Sequence, residues 1–284
     1  ETFTLQEMLD AMVIASANDA AVAVAEYLAG DVAACVDLMN ARAKALGMKN
    51  TTFANVHGLP AGRGQVDDVT TACDIAILGR ALVRSYPQVL EWTSTLSRQF
   101  PQVSEGTTYS TPFRKEIMTL VNTNNYLLRR VTGVDGLKTG YHSRAGFNVC
   151  VTAKQNDRRL IAVVMGAPSQ AERNKAAKHL LTTGFTEFER IMVLQKGLAV
   201  GKPVPVLQGQ KQAASLVAAD NAIILVKKGD EDQIRQEIEL AAPRLVAPVR
   251  QGTKVGEAVI FVGERPVTSV DLVIEEDIAK SSHS

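Results

Sequence analysis

The hydrophobic periodicity of the chain changes twice, and this limits the fold more than any single motif does. Up to about residue 85 the apolar residues recur at helical spacing. Leu5, Met8, Leu9, Met12 and Val13 place a helix over Thr4 to Ile14. Asn18 to Ala29 is Ala-rich and reads as a second helix closed by Gly30, and Asp31 to Leu46 as a third followed by Gly47. A loop dense in turn residues, Asn50 to Gly64, precedes another helix over Thr71 to Ser85. From Val103 the character shifts. Val131 to Gly140 reads as a turn and a short strand, Phe147 to Lys154 alternates, and Arg159 to Met165 is a continuous apolar strand, with Asn156-Asp157 at the hairpin turn between the last two. Glu172 to Thr183 closes this part as a helix. A helical lobe and an antiparallel sheet flanked by helices follow, an α+β fold.

The second change falls near Phe188. Beyond it every signal is β: Pro203 to Gln208, Ser215 to Ala219, Ala222 to Val226, Ile234 to Leu240, Ala258 to Val262 and Val267 to Ile274. Short strands with regular turns suggest a small all-β sandwich. The expected domains are therefore 1–187 and 188–284, and 284 residues suffice for two cores.

Charge and composition exclude several classes. Thirty-one Lys and Arg against 30 Asp and Glu leave a net charge of +1, which argues against a nucleic-acid partner held by bulk positive charge. An apolar content of 46% excludes a disordered chain. No stretch approaches the roughly 18 apolar residues that span a bilayer. Cys35, Cys73 and Cys150 are odd in number and lack a C-x-x-C, so they read as buried free thiols. His57, His142, His179 and His283 show no ligand spacing, so no metal is expected. No phosphate loop is present, and no organic cofactor is expected.

Two short motifs remain: Ser16-Ala17-Asn18, between two helices, and Lys138-Thr139-Gly140, at the end of a strand. Singly each is weak. Ser16 with Asp19 has the spacing of a helix capping box, and Lys-Thr-Gly is an ordinary strand ending. Together they fit serine acyl transfer, in which a nucleophilic serine needs a lysine base, a second serine to relay the proton and a strand to hold the peptide.

The chain resembles the low-molecular-weight penicillin-binding proteins, the serine D-alanyl-D-alanine carboxypeptidases of peptidase family S11. The matching stretches are Val13 to Asp19, Leu38 to Asn50, Thr52 to Leu59, Val134 to Gly140, Ala145 to Asn148 and Leu160 to Gly166, with Arg173 before the closing helix. The resemblance covers nearly the whole chain and implies a penicillin-recognising serine transpeptidase-like domain followed by that family's β-rich second domain. It implies that Ser16 relays a proton, that Asn18 orients the substrate or the base lysine, and that Lys138 places charge beside the substrate and polarises Ser16. Thr139 and Gly140 would line the strand against which the peptide lies, and Arg173 would hold the terminal carboxylate of D-Ala. His57 would be structural near the cleft, and His142, one place later than the histidine of many relatives, would lie at its rim. The implied partners are a peptidoglycan stem peptide as substrate and β-lactams as acylating inhibitors.

One departure matters more than these matches. No serine in the chain is followed by lysine three residues on, so the Ser-x-x-Lys motif is absent. In the family it precedes the Ser-x-Asn motif by several dozen residues, and the chain starts only fifteen residues before Ser16. The expectation is a fragment whose nucleophile lies upstream of Glu1. A β-lactamase of the same superfamily fits less well, since no Glu between Ser16 and Lys138 has Asn four residues on. A non-catalytic peptidoglycan-binding scaffold is the third reading. The resemblance also implies export to the periplasm or cell surface. Ile278 to Ser284 is too short and polar for the anchor helix in which relatives often end, so peripheral membrane anchoring would need a helix beyond it.

Overall fold

The structure, a computed structural model, describes residues 3–62, 64, 66–100 and 118–282. Val103, where the character of the sequence shifts, and His283 lie outside the described residues. The chain divides into two compact units, Glu1–Gly184 and Phe185–Ser284.

The first unit begins with α1 (Leu5–Ile14), α2 (Asn18–Ala29) and α3 (Val32–Ala45). Thr4 starts α1 through a reciprocal capping box: its hydroxyl accepts from Glu7 N at 3.2 Å, and the Glu7 carboxylate accepts from Thr4 N at 2.8 Å. Gly30 ends α2 at φ +89°, a backbone conformation that favours glycine, and Asp31 caps α3 on Ala34 N. The loop that follows contains no helix among its described residues and is pinned from both sides. Asp74 accepts from Asn50 N and Thr51 Oγ1 at 2.8 and 2.7 Å, and Asn40 bonds both main-chain groups of Phe53 at 2.8 Å.

Helix α4 (Ala72–Ser85), capped by Thr71, packs on the sheet. Four elements of this unit have no counterpart in the sequence expectations: α5 (Val89–Thr93), the paired β1 (Ser97–Phe100) and β2 (Met118–Val121), and α6 (Asn125–Arg130). They are four to six residues long, too short to show a period. The antiparallel sheet is β3 (Val134–His142), β4 (Gly146–Gln155) and β5 (Arg158–Ala167), in that order, so β3 is an edge strand among the described residues. Gly79 lets α4 approach closely: a Cβ there would lie 3.0 Å from Cys150 Sγ and 3.2 Å from Leu137 Cδ1. Helix α7 (Gln170–Thr186) buries Ala177 and Leu181, and Gly184 meets Leu160 of β5 in the same way. Each large apolar side chain so buried contributes roughly 2 kcal/mol.

The cysteines correct one expectation. Cys73 is exposed, because the second position of α4 lies on its outer face, while Cys35 and Cys150 are half-buried. No disulfide joins them.

Among the described residues, the second unit contains three small sheets: β6 (Phe188–Leu194) with β10 (Ala222–Lys227); β12 (Leu245–Val246), β7 (Val204–Leu207) and β8 (Ala213–Ala214); and β11 (Ile234–Leu240), β13 (Lys254–Val262), β14 (Arg265–Ile274) and β9 (Leu216–Ala218). They share one core that includes Val204, Leu216, Val226, Ile260, Leu272 and Ile274. Among the described residues, no helix is long and apolar enough to cross a membrane.

Candidate active site

The capping reading of Ser16 fails, and that failure frees its hydroxyl. The residue that caps α2 is Ala17, without a side-chain bond, and Asp19 Oδ1 accepts from the adjacent Ala20 N. Ser16 is exposed between α1 and α2 at φ +60°, a left-handed conformation uncommon for a residue with a Cβ. Its hydroxyl accepts a hydrogen bond from Lys138 Nζ at 2.7 Å, across 122 residues of sequence.

Lys138 comes from the middle of β3 and also donates to its neighbour's carbonyl, Thr139 O, at 2.9 Å. Burial of the ammonium, together with the positive charge of Arg173, brings its pKa down from 10.5 to about 8. A lysine in this state loses and regains a proton near neutral pH, as a general acid or base requires. Thr139 is buried, and its hydroxyl donates to Thr123 Oγ1 at 2.7 Å. Thr123 N donates to Ile14 O at 3.1 Å, so one residue braces both β3 and the end of α1 that presents Ser16. Gly140 is exposed with nothing within 4 Å of where its Cβ would be, and β3 is an edge strand among the described residues, a position that suits pairing with an extended chain.

The other expected residues fall at varying removes. Asn18 opens α2, two residues from Ser16, and is exposed. Arg173 is only 4% exposed; its Nε and Nη2 donate to Asn174 Oδ1 at 3.1 and 2.9 Å, and burial lowers its own pKa. Its connection with the site here is the field it exerts on Lys138. His57 accepts from Leu59 N through Nδ1 at 3.1 Å, and His142 accepts from Arg144 N and Ala145 N at 3.2 and 3.1 Å. Both histidines thus shape turns. Arg144 ties these turns together by pairing with Asp67 at 2.9 Å and donating to Ala61 O at 3.0 Å. Thr123 was not singled out in the sequence; the signal available was the polar run Asn122-Thr123-Asn124-Asn125 directly after a strand.

Beside the Lys-Thr-Gly strand is an apolar cavity of about 380 Å³, walled by Ile75, Leu78 and Leu82 of α4 and by Leu137 and Val149 of the sheet, with Lys138 and Thr139 on its lining. A larger open depression of about 860 Å³ along α7, lined by Lys175, Lys178 and His179 among others, includes neither Ser16 nor Lys138. Among the described residues, no group of three metal-ligating side chains occurs.

The comparison with known proteins agrees with this arrangement. The D-alanyl-D-alanine carboxypeptidase family model matches residues 1–169, and the model of the C-terminal domain of penicillin-binding protein 5 matches residues 188–280. The chain is 31% identical over 271 residues to D-alanyl-D-alanine carboxypeptidase DacA of Haemophilus influenzae, covering 95% of this chain and 64% of that protein. It thus spans about two thirds of the length of such relatives. The crystal structure of penicillin-binding protein 5 from Haemophilus influenzae superposes with a TM-score of 0.75 at 30% identity, over 97% of this chain and 74% of that one. Penicillin-binding protein D2 of Listeria monocytogenes, in its cefotaxime-bound form, superposes with a TM-score of 0.56 at 33% identity, over 66% of this chain and 68% of that one. With the Ser16–Lys138 contact in place and a family model matching more than half its length, the chain belongs to the D-alanyl-D-alanine carboxypeptidase family.

Proposed function

We propose that the protein carrying this chain, together with a Ser-x-x-Lys segment, is a serine D-alanyl-D-alanine carboxypeptidase that trims the terminal D-Ala from peptidoglycan stem peptides and is acylated by β-lactams. The observation that carries this reading is the 2.7 Å hydrogen bond between Lys138 Nζ and Ser16 Oγ, made by a lysine whose pKa lies near 8. In the proposed reaction the serine of the Ser-x-x-Lys segment attacks the carbonyl between the two D-Ala residues. Its proton passes through the base lysine to Ser16, which delivers it to the departing D-Ala amine. Lys138 holds the Ser16 lone pair in place and supplies positive charge towards the substrate carboxylate, with Arg173 reinforcing the field from behind. The stem peptide extends along the open edge of β3, next to Thr139 and Gly140, and Asn18 orients its amide. Water then cleaves the acyl-enzyme, restoring the serine and releasing the shortened peptide. Such a substrate places the protein in the periplasm or at the cell surface, where it acts on the cell wall.

The test is labelling with a fluorescent penicillin alongside an assay of D-Ala release from a pentapeptide, on the Ser-x-x-Lys-bearing protein and its Lys138→Ala and Ser16→Ala variants. Wild type should label and release D-Ala, and each variant should lose at least about a hundredfold in rate. Undiminished labelling of Lys138→Ala would refute the role given to Lys138. Rapid turnover of the penicillin without D-Ala release would make the protein a β-lactamase instead.

A further inference from the structure

The four-stranded sheet of the second unit has two unequal edges. On one side lies β9, three residues long; on the other lies β11, seven residues long and paired residue for residue with β13. Hydrogen bonds at the two ends of β11 fix the direction of its main-chain groups. Gly263 N donates to Gln233 O at 3.0 Å and Ala241 N donates to Val255 O at 2.9 Å, so the odd-numbered residues between them face β13. The N–H and C=O groups of Ile234, Gln236, Ile238 and Leu240 therefore point outward, and among the described residues none of them has a partner. Chains usually blunt such an edge with proline, lysine or a bulge. Strand β11 has no proline and no lysine, and its register is unbroken. Ile238 and Leu240 are 36% and 39% exposed on the face that also carries buried Ala258 and Ile260.

The strand, Ile-Arg-Gln-Glu-Ile-Glu-Leu, is complementary to itself. Antiparallel pairing with a second copy, centred on Glu237, uses the whole strand and sets outward groups against outward groups. Ile234 of one copy then faces Leu240 of the other, Gln236 faces Ile238, and Arg235 faces Glu239. Arg235 and Glu239 fall at non-hydrogen-bonded positions, where opposing side chains come closest. Glu239 makes no ion pair of its own among the described residues. Only Glu237 meets its own kind, on the axis, and Arg235 of the same strand already pairs with it. Other registers fit less well: centring on Ile238 sets Glu237 against Glu239, and centring on Gln236 sets Leu240 against Asp232. We propose that β11 is a self-association edge through which two copies of this protein join their sheets across a two-fold axis. The contact is small, so the dimer is of the weak, reversible class.

Sedimentation velocity of the protein carrying this chain, over a concentration series, tests the proposal. Up to about 200 µM the wild type should shift reversibly from monomer to dimer. Glu239→Arg should weaken association at least tenfold. Gln236→Pro should do the same, since its ring removes an outward N–H and leaves the bonds to β13 in place. The double change Arg235→Glu with Glu239→Arg restores opposite charges across the axis and should regain at least tenfold over Glu239→Arg alone. Far-ultraviolet circular dichroism checks that each variant is folded, and Glu239→Arg, at an exposed position, decides the matter if Gln236→Pro does not fold. A wild type that stays monomeric throughout overturns the proposal and leaves the edge to a strand of another protein. A dimer that withstands Glu239→Arg uses a different surface and overturns it too. A double variant no better than Glu239→Arg overturns the register on which the proposal stands.

Discussion

Replacing Lys138 with Met keeps an unbranched body of similar length and removes the titrating group. In the native fold the lysine is shifted from 10.5 to about 8, first by desolvation and then by Arg173. A lysine depressed in the folded state weakens the fold wherever both folded and unfolded chains carry the proton, which is below about pH 8. As pH rises from about 8 to 10.5 the folded form gives up its proton before the unfolded form does, and that penalty is relieved. At about 1.4 kcal/mol for each tenfold change in proton affinity, the relief amounts to about 3 kcal/mol. The wild-type unfolding free energy, taken relative to Lys138→Met, should therefore rise by about 3 kcal/mol between pH 7 and pH 10.5. Groups common to both proteins cancel in the difference. Urea titrations followed by fluorescence suit the measurement, because the single tryptophan, Trp92, lies in α5 against β3 and reports on the unit that holds Lys138. A difference that stays flat across this range would show that Lys138 is solvated in the native protein and would remove the basis for treating it as a tuned acid or base.

Gly136→Ala would drive a Cβ into Thr93 Oγ1, whose hydroxyl donates to Asp135 O at 2.7 Å; a loss of about 2 kcal/mol in urea denaturation is expected, and an unchanged midpoint would contradict the close approach. Arg98→Met removes the charged partner at 2.5 Å from Asp10, a carboxylate only 1% exposed that Gln6 Nε2 also reaches at 3.2 Å, and should destabilise by about 2 kcal/mol; a second change, Asp10→Asn, should restore much of that, and no restoration would mean that packing rather than charge was lost. Alkylation at pH 8 followed by peptide mass spectrometry should modify exposed Cys73 well before Cys150, whose pKa burial pushes up to about 11; the reverse order would contradict the packing of α4 on β4.

The elements legible in the sequence were those long enough to display a period or marked by strong ends. Helices α2 and α4 end where the sequence places them, and the hairpin turn at Asn156, at φ +51°, lies between β4 and β5 as expected. The expectation stopped short for β3, which continues through His142, because turn residues there mask the alternation. Short pieces such as α5, α6 and β12 hold their conformation through contacts with other elements, and a local window carries no trace of those contacts. In the site, Ser16 and Lys138 were found because each belongs to a recognisable triplet. Thr123 was not, since a run of small polar residues after a strand looks like any turn until the fold shows which of them meets the strand of Lys138.

Ser16 has a further consequence for anyone engineering this protein. Its left-handed backbone at φ +60° suits glycine, and glycine there would relieve roughly 1 kcal/mol of backbone strain. The same change would delete the oxygen that receives Lys138. That loss, about 2 kcal/mol for an ammonium out of water, outweighs the relief, so the strained serine is held in place by the very contact it makes, and a thermostabilisation programme should look for its gains elsewhere in the chain.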